Sequence, residues 1–558
     1  MNLHYVSPEK NLRSGLFSGK KLHLSMTLVL CILVSAITSE AQSPEVRKAF
    51  RFIDIEQPSK GLSALEQLVS ANPTNSSYLY YLGLAQLRTG AKDKALASFE
   101  KGITLNEKDG LNYAGKGHVR LLDKNPTDAK IQFDKALAVS KSKDAAVLRA
   151  VAEGYLTDTK YLLDALNLLN KAKTINATDP DIHLLLGDAQ LMQNTQQGGE
   201  AVSSYERAAK ADPKSGKAYY KVGKIYQRAR ANDIAIGSYE KAIAADPEYA
   251  PAYKELGEIA YVKKEADKAV QAYEKYLAIS ENPGQAKFQY AFFLFMAKKY
   301  DQANAIFKEV TTNPNVSPVA LRYYAYSLIE QSKNEAEGGP KSAEARKVLE
   351  QYFQKAKPED IQGSDYAYFG KLLLKSGEDS LANENFTKAV TLDSTQLEAA
   401  QLNAETYFKR KKYEGAIDAY RILIKSRKTP LMAELFNLGR SYFYNLQFPQ
   451  ADSVFTMVAE KTPNMTVGPL WAAKARRQID STGVQGLANP MYETVIEKAS
   501  SNPEKYKKDL IEAYEYFGSY YINIKPDVPK AKTYYEKILE LDPSHAAAKE
   551  VLKAIKGG

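Results

Sequence analysis

Side chains that could do chemistry are few and scattered in this chain. Its five histidines share no spacing: His4, His23, His118, His183 and His545. No HExxH, P-loop, GxGxxG or GxSxG motif occurs, and no pair of carboxylates is set apart by its position. The sequence therefore predicts no catalytic residue, no cofactor and no metal site, and we expect a protein that is not an enzyme.

The most conspicuous grouping of side chains is aromatic. Phe288, Phe292 and Phe295 follow the spacing i, i+4, i+7, which places them along one face of a helix. Such a stripe is either packing between helices or an exposed apolar anchor for a peptide or helix, since aromatic residues supply much of the energy of protein interfaces. The sequence leaves both interpretations open.

A small residue recurs at regular spacing through most of the chain. The series consists of alanines that are most often 34 residues apart: Ala95, Ala129, Ala165, Ala201, Ala235, Ala269, Ala303, Ala345, Ala382, Ala416, Ala451 and Ala531. An aromatic residue or leucine follows each alanine by four positions, so the two share a helical face. The alanine lets a neighbouring helix approach, and the bulky residue fills the space beside it. The pattern predicts paired helices throughout residues 45–545.

Individual segments also carry a recognisable pattern. One of them has, in order, Tyr219, Val222, Gly223, Tyr226, Ala235, Tyr239 and Pro247. This resembles the tetratricopeptide repeat, W-x2-L-G-x2-Y, A-x3-F and P within 34 residues. The resemblance implies an all-α, right-handed superhelical solenoid of about 14 helix-turn-helix repeats over residues 42–545, closed by a capping helix and tail at 546–558. One degenerate repeat should have its second helix at roughly residues 491–500.

In the family that the chain resembles, the fifth, ninth and twelfth positions of each first helix line a concave groove. Carried over, these positions predict a partner-binding set: Tyr220, Lys224, Lys254, Tyr261, Phe288, Phe292, Phe295, Arg322, Tyr326, Phe436, Arg440 and Phe443. His118 also falls at such a position, and we expect a neutral histidine at the solvent edge there.

The first 41 residues read as a secretory signal peptide. A basic stretch precedes an apolar run from Met26 to Ile37, and Ser39-Glu40-Ala41 offers a small-x-small cleavage site before Gln42. The apolar run is short for a membrane span, although an uncleaved N-terminal membrane anchor is the alternative. The only cysteine, Cys31, lies inside this run, so the remaining chain has no disulfide.

Charge and composition restrict the partners. The net charge of +10 is spread over many charges of both signs, with no Lys/Arg block of the kind that binds nucleic acid. Nucleic acid is therefore not the expected partner. The resemblance to exported tetratricopeptide repeat proteins implies a scaffold of the bacterial envelope that binds a protein or peptide in its groove and meets the membrane only through envelope association. The alternative is a carbohydrate or glycoconjugate bound by groove aromatics.

Overall fold

The computed structural model describes residues 43–193, 198–281, 284–336, 339–427 and 429–557. Within these ranges the regular structure consists of 29 α-helices and three short 3₁₀ turns, without a strand. Consecutive helices form fourteen pairs, and the last helix is left over. The predicted all-α repeat fold and its number of units are thus confirmed, while the predicted signal peptide and Cys31 lie outside the described residues.

The helices fall into two compact units, and the first unit comprises the described residues up to Ile53 together with Pro58–Pro213. Its helices are α1 (Pro44–Asp54), α2 (Pro58–Ala71), α3 (Ser76–Arg88), α4 (Lys92–Leu105), α5 (Gly110–Leu122), α6 (Pro126–Val139), α7 (Ala145–Tyr155), α8 (Leu162–Ile175), α9 (Pro180–Gln193) and α10 (Gly198–Ala211).

The second unit comprises Asp54–Gln57 and the residues from Lys214 onwards. Its helices are α11 (Gly216–Arg228), α12 (Asn232–Ala245), α13 (Ala250–Val262), α14 (Ala266–Ile279), α15 (Gly284–Met296), α16 (Tyr300–Thr311), α17 (Pro318–Gln331), α18 (Pro340–Lys355), α19 (Gly363–Lys375), α20 (Asp379–Leu392), α21 (Leu397–Lys409), α22 (Tyr413–Ser426), α23 (Met432–Tyr444), α24 (Phe448–Lys461), α25 (Val467–Ile479), α26 (Asn489–Ala499), α27 (Lys507–Asn523), α28 (Val528–Leu541) and α29 (Ala546–Gly557).

Close packing inside each pair explains the alanine series. Every alanine of the series has at most 1% of its surface exposed, and the bulky residue four positions later is buried as well. In many pairs that ring lies directly against a glycine of the first helix. A Cβ atom added to Gly223 would stand 2.4 Å from the Tyr239 ring, and one added to Gly83 would stand 2.5 Å from Phe99. Burying such a ring contributes about 1.5–3 kcal/mol.

The degenerate repeat contains the same packing pair in a shifted place. Its second helix is α26, close to the predicted residues 491–500, and the pair consists of Ala488 and Tyr492, which are both buried. This pair escapes the sequence pattern because an unusually long turn, residues 480–488, separates α25 from α26. A helix at 546–557 packs Ala548 and Leu552 onto the last pair.

Most turns inside the pairs share one conformation. A residue with positive φ closes the first helix at equivalent positions, among them Gly90 (φ 85°), Lys124 (57°), Arg230 (59°), Lys411 (59°) and Leu446 (59°). The next backbone N–H then reaches back to the end of the first helix, as from Lys412 N to the Tyr407 carbonyl oxygen at 3.0 Å. This hydrogen bond is typical of a helix C-cap in which the residue after the helix adopts the left-handed conformation. It keeps most of these turns equally short.

Candidate partner-binding surface

The first predicted groove residues, on α11, are already engaged inside the second unit. The Tyr220 ring lies 5.8 Å from Tyr239 and 5.6 Å from Tyr249, and its hydroxyl donates to Glu255 at 3.3 Å. The Lys224 ammonium is 2.8 Å from the same Glu255 carboxylate. Both polar groups therefore contact a carboxylate of the protein itself, which leaves them less available to a partner.

The α13 residues show the same tendency. The Lys254 ammonium lies 5.9 Å from the centre of the Tyr276 ring. Tyr261 stacks on Phe293 with a centroid separation of 5.4 Å and meets the edge of Phe292 at the same distance. Both side chains are half-buried rather than open.

The aromatic stripe of α15 is mainly packing. Phe292 is only 9% exposed and meets Tyr323 at 4.7 Å, whereas Phe288 and Phe295 are half-buried. Phe295 packs between Tyr300 and Tyr323 at 6.0 and 5.8 Å. Of the two interpretations of the stripe, the structure favours packing between helices.

Arg322 and Tyr326 of α17 are buried, and this corrects the expectation that they are accessible in a groove. Only 5% and 4% of their surfaces are exposed. Arg322 Nε donates to Asp365 Oδ1 at 2.8 Å, and its Nη2 donates to the Tyr352 hydroxyl at 2.5 Å. Tyr326 donates to Asp365 Oδ1 at 2.5 Å. The physical reason is that a carboxylate from α19 neutralises the guanidinium in the interior, where an unpaired charge would be very costly.

The C-terminal predicted residues form a different kind of site. The Arg440 guanidinium lies among four aromatic rings, with its Cζ 4.7 Å from Phe408, 5.8 Å from Phe436, 5.9 Å from Tyr444 and 5.9 Å from Trp471. We call Arg440 and these four residues the arginine cage. The rings come from α21, α23 and α25, so three consecutive repeats are needed to build it.

Further rings brace the cage. Phe443 meets Trp471 edge-on at 5.4 Å, and Tyr413 stacks on Tyr444 at 5.3 Å. Trp471 is the only tryptophan of the chain. Tyr444 remains 41% exposed, so the cage reaches the surface.

The hydrogen bonding of Arg440 is incomplete. Its Nε is buried and has no hydrogen-bond partner. Among the described residues, no carboxylate oxygen lies within 4.0 Å of the Arg440 guanidinium nitrogens, and no hydrogen bond from them is formed. Arg427 and Arg476 of the same region, by contrast, contact Glu434 at 2.7 Å and Asp452 at 2.8 Å.

The sequence predicted only part of this cage. Phe436, Arg440 and Phe443 were in the predicted set, and the structure brings them together. Phe408 and Trp471 were missed, although they occupy the twelfth position of α21 and the fifth of α25. Applying the same positional rule to those two helices would have found them. Tyr444 follows the twelfth position of α23 and has no such signal.

The first unit carries charges on its first helices, but these are paired. Arg149 of α7 is bound to Asp179 at 2.7 Å and to Asp181 at 3.1 Å, and Arg88 of α3 contacts Glu153 at 2.8 Å. Burial lowers the pKa of His118, and the nearby Glu153 opposes this only in part. His118 is therefore neutral at pH 7, as predicted, but it is half-buried rather than placed at the solvent edge.

Neither a metal-binding cluster nor a membrane-spanning helix occurs in the described part of the chain. It holds no cluster of three or more His, Cys, Asp or Glu side chains placed to bind a metal ion. None of the helices described has the length and apolar character needed to cross a bilayer. A cleft of about 740 Å³ opens beside α1 and α2, but it contains none of the predicted groove residues.

Comparison with known proteins identifies the family. A family model described as tetratricopeptide repeat matches residues 49–109 and 220–286. The C-terminal part of a TPR repeat-containing protein from Cytophaga hutchinsonii, known from a crystal structure, is 34% identical over 47% of this chain and 98% of that chain, with a TM-score of 0.34. The chain belongs to the tetratricopeptide repeat family.

Other members of the family are more distant. A tetratricopeptide repeat protein from Parabacteroides merdae is 17% identical, over 45% of this chain and 97% of that one, with a TM-score of 0.31. Tetratricopeptide repeat protein 1 of Schizosaccharomyces pombe is 26% identical over an alignment of 145 residues that covers 24% of this chain. The chain spans only 14% of the length of that yeast relative.

Proposed function

We propose that this tetratricopeptide repeat protein is a non-enzymatic scaffold that binds a segment of a partner protein at the arginine cage. Tetratricopeptide repeat proteins generally mediate protein–protein interactions. The observation that supports this particular surface is Arg440, a guanidinium ringed by aromatic side chains and left without a hydrogen-bond acceptor.

The composition of the cage suits such a role. Tryptophan, tyrosine and arginine are the residues most enriched among interface hot spots, because they combine a large apolar area with a polar group. The cage contains all three types in Trp471, Tyr444 and Arg440. Four other predicted groove residues support binding less, since their polar groups are bonded within the protein: Tyr220, Lys224, Arg322 and Tyr326.

We further propose that the scaffold works in the bacterial envelope. The support comes from the N-terminal sequence, where a basic stretch, a short apolar run and a small-x-small site follow one another. Retention of that segment as a membrane anchor is the alternative.

Capture experiments with a cage variant test the proposal. Partners would be crosslinked in native cells and identified by mass spectrometry, and the purified full chain, Tyr444→Ala and Leu392→Ala would then be compared in pull-downs. We expect Tyr444→Ala to reduce capture because Tyr444 is the exposed ring of the cage. Leu392→Ala should leave capture unchanged, since Leu392 is 59% exposed but belongs to α20, outside the cage.

Equal capture by the two variants would contradict the proposal, provided that their thermal unfolding curves match that of the parent chain.

A glycan array tests the carbohydrate alternative. Binding of a glycan that is weakened by Tyr444→Ala, without any captured protein, would favour that alternative.

A further inference from the structure

We propose that the arginine cage binds a side-chain carboxylate, Asp or Glu, within an acidic segment of the partner that also carries an apolar residue. This inference rests on the proposed function and specifies the chemistry of the partner. It starts from the state of Arg440 in the unbound chain.

The guanidinium of Arg440 is charged and short of acceptors. Arginine keeps its proton at every physiological pH and offers five N–H donors. Buried donors are almost always satisfied in proteins, yet the buried Nε of Arg440 is not. Two arginines of the same region do find acceptors. Arg427 Nε donates to Glu434, and Arg476 Nε donates to Asp452. Arg440 thus differs from its neighbours in lacking an acceptor. The side chain as a whole is only half-buried, so a ligand can offer an acceptor to the guanidinium N–H groups other than the buried Nε.

The rings around Arg440 select the geometry of that acceptor. A guanidinium packed against aromatic faces keeps its N–H groups directed outwards from its edge, where a carboxylate accepts two parallel hydrogen bonds. The rings also shield part of the guanidinium from water, since its Nε is buried, and a charged hydrogen bond is stronger where water is partly excluded. An apolar side chain next to the carboxylate would cover the exposed part of Tyr444.

The charges that surround the cage favour an anion. The turn between Phe408 and Tyr413 consists of Lys409, Arg410, Lys411 and Lys412, a basic run shorter than the five to eight residues of a nucleic-acid-binding block. Asp379 binds Arg410 at 2.6 Å and also binds Lys412. The exposed Lys409 and Lys411 have no ion pair with any residue that the structure describes.

The charged groups on the helices of the cage and next to them also include Glu405, Glu512 and Lys474. Glu405 of α21, at the position equivalent to Arg440, accepts a hydrogen bond from Gln401 at 2.8 Å and does not reach Arg440. Glu512 is held by Lys474 at 2.9 Å, while Lys474 lies 5.2 Å from the Trp471 ring. The positive charges left over are spread over several residues, which suits a segment with more than one acidic side chain better than a single terminal carboxylate.

A display experiment with random peptides tests this inference. A library of short peptides with amidated C-termini would be selected on the full chain, and enriched peptides would be titrated while the emission of Trp471 is followed. We expect enrichment of Asp or Glu next to an aliphatic or aromatic residue. Replacing that acid by its amide should weaken binding by about 10- to 100-fold, the effect of losing a charge-assisted hydrogen bond.

Variants of the protein provide the second arm. Arg440→Gln should weaken binding of the acidic peptide to the same extent, and Arg440→Lys should weaken it less. Arg421→Gln is the matched control, because Arg421 is exposed on α22 and outside the cage. The amide-substituted peptide keeps the test valid even if an Arg440 variant unfolds, since the protein is then unchanged.

The outcomes separate the two proposals. Enriched peptides without acidic residues, or with affinity unchanged by the amide substitution, would overturn the carboxylate inference. If those peptides still lost affinity on Tyr444→Ala, the cage would remain the binding site. If neither Tyr444→Ala nor Arg440→Gln altered the affinity of well-folded protein, the proposed site itself would be wrong.

Discussion

At Glu153, burial and ion pairing act on one carboxyl group in opposite directions. Burial alone would raise its pKa, but the nearby charge of Arg88 and the hydrogen bond from it lower the pKa to about 2 from an ordinary value of 4.5. The depressed value means that the folded state holds the carboxylate in its charged form more firmly than the unfolded chain does.

The pH dependence of stability follows from that shift. A carboxyl with a lowered pKa stabilises the fold above its unfolded pKa, and this contribution is lost as the pH falls through the folded value. We expect Glu153→Gln to lower the free energy of unfolding by about 2–3 kcal/mol above pH 5, with the difference from the parent chain vanishing towards pH 2. Urea unfolding at a series of pH values measures it.

The exposed Glu206 of α10 provides the control. Glu206→Gln should leave the free energy of unfolding nearly unchanged at every pH. A difference between Glu153→Gln and the parent chain that stayed constant from pH 6 to pH 2 would contradict the assigned shift.

Single residues are also where prediction from sequence failed. Position in the repeat marked Arg322 as a groove residue, but its burial depends on Asp365, 43 residues away, which no periodicity reveals. Arg440 occupies the ninth position of its helix just as Tyr326 does, and yet it has no acceptor. The periodic pattern fixes which face a side chain lies on, whereas its partner depends on the particular neighbours in adjacent repeats.

At the scale of the helix pair, the contact between a glycine and a ring determines how closely two helices approach. Gly223 of α11 has no room for a Cβ, because the Tyr239 ring would be 2.4 Å away, whereas Gly237 of α12 has nothing within 4 Å. We expect Gly223→Ala to lower the free energy of unfolding by about 1–3 kcal/mol through overpacking. Gly237→Ala should raise it by about 0.5–1 kcal/mol, since alanine favours the helix.

Denaturant unfolding of both variants measures this difference. Equal shifts in the same direction would show that the glycine–ring contact does not limit the packing of α11 on α12.

The same comparison explains why the pairs were predictable from sequence. A close contact between a small residue and a ring is local, so it leaves a regular trace of alanine and aromatic residues that needs no knowledge of distant neighbours.

For the whole molecule, the proposed export makes a prediction about the N-terminus. When the full gene is expressed in a Gram-negative host, we expect the mature protein to begin at Gln42, after cleavage at Ser39-Glu40-Ala41. N-terminal sequencing and intact mass of the protein recovered from the envelope fraction measure this.

A variant with a blocked cleavage site is the control for export. Ala41→Leu should accumulate as the uncleaved precursor, because signal peptidase requires a small residue there. Recovery of the parent chain with residues 1–41 still attached, in the membrane fraction, would support the anchor instead. Recovery only from the cytoplasm would contradict export.

One turn inside a helix pair of the second unit is unusually long. Residues 480–488 separate the two helices of the pair α25–α26, whereas only three residues separate the helices in most other pairs that the structure describes. A hydrogen bond within this turn helps to hold it, since Asp480 Oδ2 accepts from Leu487 N at 3.3 Å. Length can thus change there without shifting the phase of the neighbouring helices. Protein engineers could graft an epitope or a sensor peptide into this turn, close in sequence to the tryptophan that would report on it.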